Sequence, residues 1–220
     1  MDRFWEQTWK LADNERIAQY LAHFDLAEDA IIRQLEGRHA KTVCDAGCGC
    51  GAYSLKLARF GFSVSGFDVS EDAVALTKRL LTEYGYPAQH FHTSDILATD
   101  YADGQFDAVV ALDVLDHMPI REGIAALKEL LRIVEPGGCV LLTLDKTDDE
   151  YESETHDTNS DGDYLYTSGK WSGMAFHPYT EDEIVRLTKG FSARIIETTD
   201  AGFTVAVEKN HVSAQQQVAC

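Results

Sequence analysis

Apolar and polar positions along this chain change rhythm repeatedly, and each change marks an element. Between residues 14 and 36, Ile17, Tyr20, Leu21 and Phe24, then Ile31, Ile32 and Leu35, recur at helical spacing. A short β-branched run follows, TVCDA, and then the helix-like YSLKLARF. The beat returns in SVSGFD and SEDAVALTKRLLTEY, where Ser70 is placed to cap the helix. HFHTSD is the third strand-like run and FDAVVALDV the fourth. REGIAALKELLRIVEP reads as a helix closed by Pro136-Gly137-Gly138, and CVLLTLD as the fifth strand. Strands alternating with helices at this period predict parallel βαβ units in a doubly wound sheet. The near-continuous apolar character of FDAVVAL and CVLLTL suits strands buried on both faces. After the helix-like TEDEIVRLTKG, FSARIIETT and FTVAVEK are joined through Asp200, Ala201 and Gly202 alone. So short a join requires an antiparallel hairpin. The prediction is an α/β fold with seven strands: five parallel and a closing pair, one of which runs backwards.

Residues 146–177 break this rhythm. KTDDEYESETHDTNSDGDYLYTSGKWSGMAFH has no helical stripe and is acidic, then aromatic. A loop of that length in a compact domain is usually functional or disordered. It leaves the carboxyl end of the fifth strand, the edge where open α/β sheets bind ligands. YLYTSGKWSGMAF reads as a possible hairpin around Ser168-Gly169. Asp157, Asn159, Asp161 and Gly162 fit the first half of a calcium loop, but its twelfth position is Ser168 and no helix pattern flanks it. A solvated acidic loop is the expected reading. The whole is one domain over 1–210, with a helical cap at 1–36, a lid-like insertion at 146–177 and a frayed polar tail at 211–220.

Charge narrows the partners. Nineteen Lys and Arg stand against 37 Asp and Glu, a formal net charge of −18. That field repels phosphate backbones and argues against a nucleic-acid substrate. No apolar run approaches the length of a membrane span, and the N-terminus lacks the layout of a secretory signal. Five cysteines, four of them in or beside apolar runs, suit reduced thiols in a cytoplasmic protein.

The stretch VCDAGCGCGAYSLKL admits two chemistries. Cys44, Cys48 and Cys50 invite a metal, yet three thiols without a fourth ligand do not make a tetrahedral site. No metal is expected there. Gly47, Gly49 and Ala52 satisfy the glycine pattern of a nucleotide loop after a strand, where the backbone must turn sharply against a ligand. Asp68 ends the second strand, where a carboxylate can accept both hydroxyls of an adenosine ribose. Asp45, just before the glycines, would sit badly beside a pyrophosphate but suits a ligand bearing an ammonium group.

These residues resemble the class I S-adenosylmethionine-dependent methyltransferases. VCDAGCGCG is similar to that family's first motif and GFDVS to its second. HTSDI resembles the adenine-contacting pair, FDAVVALDVLDH the fourth-strand motif and EPGGCVLLT the turn into strand five. The likeness runs over about residues 42–145 and implies a Rossmann-like fold with S-adenosylmethionine as cofactor. By the resemblance, Asp45 and the backbone at Gly47 and Gly49 hold the aminocarboxyl part, while Asp68 binds the ribose with Val69 against the adenine. Asp95 accepts from the adenine amino group, the Ile96 amide meets a ring nitrogen, and the Leu112 and Asp113 backbone lines the methionine side.

The sulfonium already activates the methyl group, so the expected work is alignment and exclusion of water. A general base is needed only for a protonated, weakly acidic acceptor. The candidates are His117 and His177, each of which also admits a structural reading. Tyr164, Tyr166, Trp171 and Phe176, with Trp5 and Trp9, are expected either to form a lid over the substrate or to pin the loop as a cluster. The leading expectation is methyl transfer to a small soluble molecule by a monomer or homodimer that engages neither nucleic acid nor membrane. A non-catalytic cofactor-binding protein is the alternative. An NAD-dependent oxidoreductase is disfavoured by Asp45 and by the Pro-Gly-Gly turn.

Overall fold

The computed structural model describes residues 2–23 and 27–210. Phe24 and the expected tail at 211–220 lie outside the described residues. The cap consists of α1 (Asp2–Lys10), α2 (Asn14–His23) and α3 (Ala30–Gly37). The apolar stripe at 14–36 is therefore divided. Asp29 starts α3 afresh, its carboxylate accepting from the Ile32 amide at 2.8 Å.

The main sheet is built from β1 (Thr42–Ala46), β2 (Ser63–Asp68), β3 (Phe91–Thr93), β4 (Phe106–Ala111) and β5 (Val134–Asp145). The crossovers include α4 (Ala52–Arg59), α5 (Glu71–Glu83) and α6 (Ile120–Ile133). Later in the chain, α8 (Glu181–Leu187) leads into β9 (Ser192–Thr198) and β10 (Gly202–Glu208). Strand order is β3-β2-β1-β4-β5-β10-β9, with β10 antiparallel to both β5 and β9. This is the predicted doubly wound arrangement with one reversed strand. Alternate side chains leave opposite faces of each strand. Cys44, Val109 and Leu142 pack under α6 with Leu127 and Leu130, while Val43, Val110 and Leu141 pack with Leu35, Leu57 and Leu81. Ser70 caps α5 as predicted, accepting from the Ala73 amide at 3.3 Å.

Two expectations are corrected. The Pro-Gly-Gly turn does not close α6. That helix ends at Ile133, and residues 134–138 are already extended, with the ladder to β4 shifting register between Phe106 and Ala108. Lys209 ends the helix instead, its ammonium donating to the carbonyls of Arg132 and Val134 at 3.0 and 2.6 Å.

The second correction concerns 146–177, which is not structureless. It holds α7 (Asp149–Ser153) and a small antiparallel sheet of β6 (His156–Thr158), β7 (Tyr164–Tyr166) and β8 (Ala175–Phe176). These strands are two or three residues long, too short to leave a periodic trace. The expected hairpin exists between β7 and β8, with Ser168-Gly169 inside its longer connection. The calcium-like stretch is the β6–β7 turn. The Asp161 carboxylate there is engaged by Arg121 at 2.6 Å and Arg186 at 2.5 Å.

Candidate active site

Strand order reverses between β1 and β4, which opens a crevice at the carboxyl ends of the parallel strands. The glycine loop after β1 forms its floor. Gly47 and Gly49 have φ of 76° and 53°, and a Cβ on Gly49 would come within 2.8 Å of the Trp9 ring. Thr77 of α5 clamps the loop by donating to the Gly49 carbonyl at 2.9 Å. Cys44, Cys48 and Cys50 are buried free thiols packed around this turn.

Asp68 ties the loop to β2. One of its oxygens accepts from the Gly49 amide at 2.9 Å and the other from the Ser70 amide at 2.9 Å. Burial raises its pKa, and these backbone amides oppose the rise. Asp45 is also buried, its carboxylate accepting from the Ser54 hydroxyl at 2.5 Å, and burial pushes its pKa up to about 6.

Two adjoining cavities share Trp5, Trp9, Gly47, Asp113 and His117. The first, of about 430 Å³, is lined by Asp68, Val69, Asp95 and Ile96. The second, of about 870 Å³, reaches Asp45, Gly49, Leu112, Asp145 and Tyr151. Every residue that the resemblance assigned to the cofactor thus lines one of the two. Asp95 accepts from the Leu97 amide at 2.8 Å, which fixes that strand-end turn. Asp113 takes the left-handed conformation at φ 54° and exchanges hydrogen bonds with Thr143 of β5. A non-glycine residue held there is backbone strain of the kind found at binding sites.

The two candidate histidines part company. His117 lines both cavities, with its ring 4.9 Å from that of Trp5 and its Nε2 3.8 Å from Asp116. Burial lowers its pKa, so the ring is neutral at pH 7. His177 lines neither cavity. It is buried away from them, its Nδ1 2.8 Å from Asp163 and its backbone amide donating to the Asp116 carbonyl at 2.7 Å. That setting makes it a residue that pins the insertion.

Among the aromatics, Trp5 and Trp9 line the cavities, whereas Tyr166 and Trp171 do not. Those two support a residue that does. Tyr151 lies between Trp171, at 4.8 Å, and Phe176, on which it stacks at 3.9 Å, and its carbonyl accepts from the Tyr166 hydroxyl. Helix α7 thus presents Tyr151 to the second cavity, and the aromatic sheet holds it there.

Sequence reading missed Tyr151, Asp116 and Asp145. Asp145 ends β5 and Asp116 sits in the quoted DVLDH, so strand-end position was a usable signal for both. Tyr151 gave none. The carboxylates of Asp113, Asp116 and Asp145 lie within 4.8 Å of one another. Burial and the neighbouring carboxylates push Asp145 up to about 7, and burial pushes Asp116 well up.

The methyltransferase-domain family matches residues 43–138. The ubiquinone biosynthesis O-methyltransferase of Pseudomonas paraeruginosa is 33% identical over 112 residues, 51% of this chain and 47% of its own. The chain spans about half or less of the length of the curated relatives it matches. A crystal structure of a SAM-dependent methyltransferase from Methanosarcina mazei is 25% identical, with TM-score 0.61, covering 77% of this chain and 93% of that one. The DhpI–SAH complex is 21% identical with TM-score 0.69, covering 95% and 97%, and it shows the fold.

Proposed function

We propose that the chain is a class I S-adenosylmethionine-dependent methyltransferase and that it methylates a small soluble molecule. The residues present fit the cofactor. The glycine loop admits no Cβ at Gly49, carboxylates end β1 and β2, and the paired cavities separate a nucleoside side from an amino-acid side. Asp68 would take the ribose, since each of its oxygens keeps a lone pair beyond its amide donor. Val69, Asp95 and Ile96 would hold the adenine. Asp45, Gly47 and Gly49 would hold the aminocarboxyl group, and the Leu112 and Asp113 backbone would line the same side. When bound, S-adenosylmethionine supplies a methyl group already activated by its sulfonium.

The chain's own task is then to orient the acceptor, exclude water and receive a proton. Trp5 and Trp9 wall the junction between the cavities against solvent. Neutral His117 and the raised Asp145 can each hold a proton released beside that junction. His177 serves by fixing the insertion. One observation carries the proposal: the nucleoside-side cavity adjoins, across Gly47 and His117, a second cavity of about 870 Å³ that leaves room for an acceptor.

The test is S-adenosylhomocysteine release across amines, phenols, carboxylates, thiols and metalloid oxyanions, with wild type and His117→Ala in parallel. Turnover with one chemical class, reduced at least tenfold in the variant, is the expected outcome. Tight cofactor binding with no turnover on any acceptor would favour a non-catalytic binder.

A further inference from the structure

Behind the wall of the second cavity lies a carboxylate cluster that the cofactor site does not explain. Asp116 is fully buried, yet neither of its carboxylate oxygens has a hydrogen-bond partner. A buried carboxylate left in this way is costly unless a cation or donor meets it. Its oxygens face Asp113 and Asp145 within 4.8 Å. Among the described residues no Lys or Arg is ion-paired with any of the three. The neighbouring His117 ring leaves its own buried Nδ1 unpartnered.

The walls indicate which cation belongs there. Asp113 already gives one oxygen to the Thr143 hydroxyl at 2.6 Å, and an oxygen of Asp145 lies 3.4 Å from the Tyr151 hydroxyl. Beyond the carboxylates the cavity presents the rings of Trp5, His117 and Tyr151. Carboxylates at the base and aromatic rings at the sides are the recognition chemistry of an organic ammonium group. Asp45, on the glycine-loop side of the same cavity, is a separate carboxylate for the ammonium of the cofactor, which leaves the inner cluster to the acceptor.

Resting on the methyltransferase reading above, we propose that Asp113 and Asp145, which line the second cavity, bind the ammonium nitrogen of an amine acceptor, with the buried Asp116 behind them and with Trp5 and Tyr151 against its carbon chain. The Asp145 carboxylate, at the mouth of the cluster, accepts the proton that the bound ammonium gives up to become a free amine. The acidic cluster disfavours anionic acceptors.

The test is calorimetric titration of wild type, Asp116→Asn and Asp145→Asn, each first saturated with S-adenosylhomocysteine. The probes are phenethylamine and butylamine, their neutral counterparts 2-phenylethanol and butanol, and phenylacetate. The expected result is that at least one amine binds tenfold or more tighter than its alcohol, that phenylacetate does not bind, and that both variants lose the amine preference. Asp145→Asn guards against an Asp116→Asn chain that fails to fold, because Asp145 is only partly buried. Equal affinity for amine and alcohol, or no amine binding, overturns this inference while the saturation step leaves the methyltransferase reading intact. Magnesium or manganese binding that disappears in the variants also overturns it, in favour of a metal ion. Failure of the first saturation overturns the methyltransferase reading as well.

Discussion

Asp68 shows how one side chain can tie a loop together beside a proposed ligand contact. It holds the Gly49 and Ser70 amides, so its removal would loosen the glycine loop as well as the proposed ribose contact. Asp68→Ala is expected to weaken S-adenosylhomocysteine binding at least tenfold, since a charge-assisted bond contributes about 1.5–3 kcal/mol. Isothermal titration would measure it. Gly49→Ala meets a different obstacle, a left-handed backbone and the Trp9 ring 2.8 Å from the new Cβ. It should lower both the melting temperature and the cofactor affinity. Asp145 carries a pH signature. Its pKa rises from 3.8 to about 7 in the folded chain, so folding takes up a proton within that window. Stability from this group is therefore greatest near pH 4 and falls as pH climbs to about 7, with Asp45 acting in the same direction. Asp145→Asn should flatten that slope and raise stability above pH 7 by about 1 kcal/mol or more, given about 1.4 kcal/mol per pKa unit. Urea denaturation across pH 4.5–8 reads it, and an unchanged slope would contradict the assignment.

At the scale of elements, the insertion is fastened at one buried point. Asp163 accepts from the Ile120 amide at the start of α6 at 2.9 Å and from the Asn159 side chain at 2.7 Å, and it lies 2.8 Å from His177 Nδ1. Asp163→Ala strands those donors and should cost about 2–4 kcal/mol, measurable in urea. Its effect on the acceptor should exceed its effect on S-adenosylhomocysteine, because Tyr151 and Phe176 belong to the fastened unit while the glycine loop does not. This region was the least legible in the sequence. Its strands are two or three residues long, and its stability comes from rings meeting across them, as in the His156–Tyr164 and Tyr151–Phe176 stacks. Such contacts leave no period. The role of His177 was hidden for the same reason, since its partner Asp163 lies across a turn that sequence alone reads as solvated. The end of α6 was misplaced because its terminal carbonyls are satisfied by Lys209, seventy-seven residues downstream of Arg132.

Across the whole molecule, the parallel sheet was legible because burial on both faces writes β-branched runs, and the intervening helices write a 3.6-residue stripe. Strand order then places β3, β2, β1 and β4 side by side, so the strand-end residues Asp45, Asp68, Asp95 and Asp113 converge on one crevice. Positions that line the crevice could be read from the chain for that reason. Tyr151 could not, since its place depends on where α7 comes to rest. No helix among the described residues is long and apolar enough to cross a membrane. The charge of −18 carries no single partner, but it sets a field that favours cations at the crevice. The central claim is that this crevice holds S-adenosylmethionine, and the most direct measurement is a competition titration of the wild-type chain with S-adenosylhomocysteine and NADH. Saturable S-adenosylhomocysteine binding that NADH fails to displace, and that Asp68→Ala weakens at least tenfold, is the predicted result. Tight NADH binding with no S-adenosylhomocysteine binding would contradict the account.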